Sequence, residues 1–112
     1  MIVCVIDDLL FSIKISTAAK SLGVELYFER AADTVIETIR DKQPSLVIFD
    51  LNGRRLRPLD AIAQLKSDAA LNKIRTLGYV SHVDTETIAA ARAAGIDQVL
   101  ARSAFASSLG QI

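Results

Sequence analysis

Neither sign of charge predominates in this 112-residue chain, where 13 Lys and Arg residues balance 13 Asp and Glu. The balance excludes the sequence-wide field that draws a protein to nucleic acid or an anionic membrane, so any partner must be recognised by a local site. Cysteine is nearly missing: the one thiol, Cys4, sits inside the apolar run Ile2-Val3-Cys4-Val5-Ile6, where a lone cysteine serves as a small buried hydrophobe. Long hydrophobic runs are absent too. The first is halted by Asp7-Asp8, too short to span a bilayer, and no basic segment with a small-residue cleavage site precedes it. A reducing cytoplasm is the expected location. With no glycine-rich phosphate loop and no nucleophile paired with a base at a recognisable spacing, a nucleotide-binding enzyme or small hydrolase is disfavoured. Low-complexity tracts, linkers and internal repeats are lacking as well, and the length suits one domain over residues 1–112, long enough to bury a core without disulfides or metal.

What is present is an alternation of short apolar runs with longer segments of helical period, the pattern of parallel strands joined by crossover helices. Met1 to Ile6 reads as a strand buried on both faces, and Phe11, Ile15, Ala18 and Leu22 then recur at helical spacing up to Gly23. Val24, Leu26 and Phe28 alternate with Glu25, Tyr27 and Glu29, which predicts an edge strand with one wetter face. Asp33 is placed to cap a second helix that ends before Pro44. Leu46-Val47-Ile48-Phe49 delivers Asp50 at a strand end, and Pro58 suits the first turn of a helix carrying Leu59, Ile62 and Leu65. Thr76 to Val80 is a fourth strand, Asp84 caps an alanine-rich helix closed by Gly95, and Gln98 to Ala101 is a fifth strand. Ser103 is a candidate cap for a short last helix. The arginine cluster Arg54, Arg55 and Arg57 reads most simply as a solvated loop.

Open parallel sheets bind ligands beyond the carboxyl ends of their strands, and that edge should collect Asp7, Asp8, Asp50, Ser81 and Arg102. Three carboxylates brought together repel unless a hard cation or a basic side chain offsets them. Mg2+ is the natural ion, held by Asp8, Asp50 and a main-chain carbonyl near Asn52, with Asp7 reaching it through water. In such a site Asp50 could attack phosphorus, with the Ser81 hydroxyl and Arg102 guanidinium offsetting charge on the transferring oxygens.

Val5-Ile6-Asp7-Asp8, Ile48-Phe49-Asp50-Leu51-Asn52 and Ala93-Ala94-Gly95 followed by Arg102 make nearly the whole chain resemble the receiver domains of two-component response regulators. The resemblance implies a flavodoxin-like, doubly wound α/β sandwich of three layers around a five-stranded parallel sheet. It makes Asp50 the phosphoacceptor, Asp7 and Asp8 the acidic metal site, Asn52 a carbonyl ligand and Ser81 the switch hydroxyl. It further implies Mg2+ as cofactor, a bacterial phosphorelay, a histidine kinase or phosphotransfer protein as donor, a downstream target protein, and a weak homodimer as an option. Catalysis would extend no further than the domain's own phosphorylation and dephosphorylation.

Departures from the family pattern set up a second reading. Arg102 stands where the family has lysine, and its planar fork is bulkier and differently directed. Ser103 replaces the usual proline, so a trans bond is expected, a cis one costing roughly 2.5–4 kcal/mol. Val99 occupies the place of the aromatic that usually turns inward on activation. His82, the only histidine, could tune the pocket, although an exposed loop histidine is the plainer reading. The second reading is a pseudo-receiver, a phosphorylation-independent protein-interaction module in which Arg102 pairs with Asp50.

Overall fold

A computed structural model describes residues 1–81 and 84–111; His82 therefore lies outside the described residues. Five strands, β1 (Ile2–Val5), β2 (Leu26–Phe28), β3 (Leu46–Asp50), β4 (Arg75–Val80) and β5 (Gln98–Ala101), form one sheet in the order β2-β1-β3-β4-β5, with every neighbouring pair parallel. Among the described residues, five α-helices cover it: α1 (Leu9–Leu22), α2 (Val35–Lys42), α3 (Pro58–Ser67), α4 (Thr85–Ala94) and the six-residue α5 (Arg102–Ser107). This is the doubly wound α/β architecture that the strand-and-helix alternation predicts.

The central strands β1 and β3 bury nearly all their side chains, because helices lie on both faces. One core holds Val3, Val5, Val47 and Phe49 against Val35 and Ile39 of α2, Ile62 and Leu65 of α3, and Ala91 of α4. The other holds Cys4, Ile6, Ile48, Leu77 and Tyr79 against Phe11 and Ile15 of α1 and Phe105 of α5. In the second core Tyr79 stacks on Phe105, with ring centroids 5.1 Å apart and planes 8° from parallel, while Phe11 closes the group at 4.9 Å from Tyr79. Cys4 is fully buried, and its thiol is pushed up to about 12 by loss of solvent, so it is the inert hydrophobe expected.

Helix ends depart from the sequence reading in instructive ways. Asp84 caps α4 by accepting from the Thr87 N–H, and Gly95 closes it at φ 104°, both as expected. Asp33 does not cap α2. A single 3-10 turn (Ala32–Thr34) leads into that helix, and Asp33 instead pairs with Arg57. The turn is held by Glu29, which accepts hydrogen bonds from the Thr34 and Thr38 hydroxyls and is only 6% exposed, so the wetter face expected for β2 does not extend to it. Ser103 is likewise no cap: α5 starts at Arg102 with no side-chain cap bond. The expected trans geometry holds, with no cis peptide among the described residues.

Candidate functional site

The carboxyl ends of β1, β3, β4 and β5 bring the expected residues to one edge, but their pairing differs from the expectation. Asp8 follows β1 and uses both carboxylate oxygens. Oδ1 accepts from the Phe11 N–H at 3.0 Å and so caps α1, while Oδ2 accepts from Arg102 Nη2 at 2.9 Å. Arg102 also lies over the Phe11 ring, 4.3 Å from its centroid. Its ion pair is with Asp8, so the Asp50 partner suggested by the pseudo-receiver reading is corrected. The reason is local: Arg102 begins α5, which sits with α1 on the same face of the sheet, so its fork reaches the first turn of α1.

Asp7 is engaged as well. Arg55, in a 3-10 turn (Arg54–Leu56) after β3, sets its planar fork on the carboxylate, Nε donating to Oδ2 at 2.8 Å and Nη2 to Oδ1 at 2.5 Å. Nη2 also donates to the Arg30 carbonyl at 3.3 Å, tying together the loops after β1, β2 and β3. The Arg55 bond holds the Asp7 carboxyl below the usual carboxylate range. The arginine cluster is exposed, as a solvated loop should be, yet two of its members form ion pairs, Arg55 with Asp7 and Arg57 with Asp33. Composition alone hides this, because arginine reaches far from its own backbone. The available signal was three cations placed a few residues after Asp50, on the edge where the acids gather.

Asp50 makes no ion pair among the described residues. Its Oδ1 accepts from the Asn52 N–H at 3.0 Å, and the loop folds back over it at Gly53, where an added Cβ would stand 3.4 Å from Oδ2. Burial raises its pKa above the ordinary carboxylate value; the Asn52 N–H and the Arg102 charge oppose that rise, and the nearby Asp8 charge adds to it. Asn52 knits the site together: its side-chain oxygen accepts from the Ser81 N–H at 2.6 Å, and its carbonyl accepts from the Arg54 N–H at 3.0 Å. Ser81 is exposed and lines an open groove with Leu10, Phe11, Lys14 and Arg102. Beneath, the Tyr79 hydroxyl is buried without a hydrogen-bond partner among the described residues, beside Asp50 in the strand register.

The donor set resembles what a hard cation needs, but the arrangement does not fit one. Asp7 is held by Arg55, Asp8 by Arg102, and the Asn52 carbonyl by a backbone N–H. Among the described residues no three Asp, Glu, His or Cys side chains are disposed to hold a metal ion.

No protein-family model matches the chain, and no curated protein matches it. Solved structures do. The phosphorylated cyanobacterial phytochrome response regulator RcpA superposes with a TM-score of 0.83 at 21% identity, over 98% of this chain and 85% of that one. The Mn2+-bound form of response regulator Rcp1 gives 0.81 at 16% identity, over 99% and 89%. The chemotaxis response regulator CheY4 of Vibrio cholerae gives 0.83 at 13% identity, over 98% and 92%. At such identities the likeness is one of fold, and the chain has the fold of response-regulator receiver domains. Among the described residues, no helix is long and apolar enough to cross a membrane.

Proposed function

We propose that the chain is a signalling receiver of the two-component type that acts as a protein-interaction module, presenting one conformation without phosphate or metal. The observation that carries this reading is the engagement of both Asp7 and Asp8 by guanidinium groups, from Arg55 in the 3-10 turn after β3 and from Arg102 at the start of α5. Arginine stays charged at any ordinary pH, so the pocket is neutralised from within, and the work usually done by a cation is already done. The position of Val99, where an inward-turning aromatic would otherwise stand, agrees with an output that does not wait on phosphorylation. The partner would be a downstream target protein.

A second reading rests on Asp50. It is the one acid of the three with no ion pair among the described residues, and it stands at a strand end under the loop that follows it. On that reading a histidine kinase or phosphotransfer protein donates a phosphoryl group to Asp50, with Mg2+ present and with Ser81 and Arg102 beside it.

Incubation with phosphoramidate and Mg2+, read by intact mass for wild type and Asp50→Asn beside an ordinary receiver, separates the two. The interaction-module reading expects no gain in mass for either chain. A phosphate-sized gain that vanishes in Asp50→Asn would overturn it in favour of the phosphoacceptor.

A further inference from the structure

Resting on the same reading of the pocket, we infer that Arg55 actively excludes divalent cations from this receiver fold: the residue is an internal competitor for the ion. The geometry is specific. Both Asp7 oxygens accept from the two prongs of one planar group, at 2.8 and 2.5 Å, so a metal ion or its bound water would have to compete with a paired guanidinium for either of them. The fork is fixed at a second point by the Arg30 carbonyl. It is therefore anchored to a neighbouring loop as well as to the acid.

Arg102 completes the exclusion on Asp8, where its own position is fixed by the Phe11 ring. A dication arriving here would meet two guanidinium groups that cannot lose their charge. It would have to compete with them for the oxygens of Asp7 and Asp8, which leaves Asp50 as the one carboxylate of the three that it could reach without displacing a guanidinium. Mg2+ sheds water reluctantly and demands near-octahedral geometry, which makes that exchange less favourable still. The Arg54 N–H donates to the Asn52 carbonyl, so a cation would have to share that oxygen with it. Arg55 is the decisive residue. It is the one that could leave without disturbing a helix, because its side chain is 64% exposed and its turn packs into the core through Leu56.

The test is titration of Mg2+ and, separately, Mn2+ into wild type, Arg55→Gln, Arg55→Lys and the double variant Asp7→Asn/Arg55→Gln. Affinity is read by calorimetry, and the site and the integrity of the fold by backbone amide resonances. The expected result is that Arg55→Gln binds the ions at least about tenfold more tightly than wild type, a difference of about 1.4 kcal/mol. Arg55→Lys, which keeps the charge and loses the fork, should fall between them. The double variant should lose the gain. Equal affinity in wild type and Arg55→Gln, whether both bind or neither does, overturns the inference. So does a gain that survives Asp7→Asn.

Phosphoramidate labelling of wild type and Arg55→Gln keeps the two conclusions apart. Labelled wild type with a clear affinity gap would sink the interaction-module reading and leave the exclusion standing. Unlabelled wild type with equal affinities would do the reverse.

Discussion

Asp50 is destabilised in its charged form by its own surroundings, and this has a measurable sign. Burial raises its folded-state pKa above the ordinary carboxylate value. Between the two values the folded chain binds more protons than the unfolded one, so stability falls as pH rises through that window, and the full penalty applies at neutrality. Asp50→Asn keeps an oxygen that can accept from the Asn52 N–H while removing the charge. Its melting temperature should exceed that of wild type at pH 7, and the gap should close as pH falls below the unfolded value of about 3.9, where the carboxyl becomes neutral in both states. A variant that melts below wild type at pH 7 would contradict this account. At this scale the sequence was informative about which acids gather at this edge and less so about who pairs with them. Asp7, Asp8 and Asp50 are legible because strand ends are legible, and chemistry collects there in parallel sheets. Arg55 was not, since the reach of a long side chain across two loops leaves no spacing to recognise. Arg102 was recognised as a cation at the right edge, but its partner depended on the stack with Phe11, a contact between residues far apart in the chain.

The strands and helices were legible to within a few residues because hydrophobic period is a local property. The turns before the helices were less so. The cap expected of Asp33 failed because Glu29, at the end of an edge strand, takes the Thr34 and Thr38 hydroxyls and holds the entrance to α2 instead. Two elements carry sharp stability predictions. In β4, Gly78 lies between Phe49 of β3 and Val99 of β5 in the register, and a Cβ there would stand 2.8 Å from Ile96 Cδ1 and from both Cγ and Cδ1 of Leu51. The clash involves the branch point of Leu51, which cannot simply swing its tip aside. Gly78→Ala should therefore destabilise by about 1–3 kcal/mol in chemical denaturation, and an unchanged midpoint would refute the crowding. At the other end of β4, the Asp97 carboxylate accepts from the Thr76 N–H at 2.8 Å, the Thr76 hydroxyl at 3.0 Å and Lys66 at 2.9 Å, joining α3 to the start of the strand. Burial pushes the Asp97 pKa up, but the bonds from Lys66 and Thr76 outweigh it and leave the value below normal. A lowered carboxyl stabilises at neutrality, and that contribution is lost as pH falls through its folded value. Asp97→Ala should cost about 1–2 kcal/mol at pH 7, and the difference from wild type should shrink in acid.

For the whole molecule, the two faces of the sheet are unequally secured. The face bearing α2, α3 and α4 has three helices of eight to ten residues, whereas the other depends on the 14-residue α1 and on α5, which has six residues and one buried side chain, Phe105. A helix so short has little stability of its own, so α5 is held chiefly by the stack of Phe105 on Tyr79 and Phe11, with Leu109 of the 3-10 turn beyond it packed on the same core. Arg102 opens that helix. The grip on Asp8 therefore depends on an aromatic contact in the core, and the charge balance of the pocket is tied to the docking of the last helix. Phe105→Ala should cost about 3–5 kcal/mol, the range for truncating a buried aromatic. The distribution of that loss is the sharper test. Amide exchange should accelerate first in residues 102–109 and at the first turn of α1, where Asp8 caps the helix and loses its guanidinium partner, while α3 keeps its protection. Uniform loss of protection on both faces would mean that α5 is an integral part of the cooperative unit, with no separate hold on Asp8.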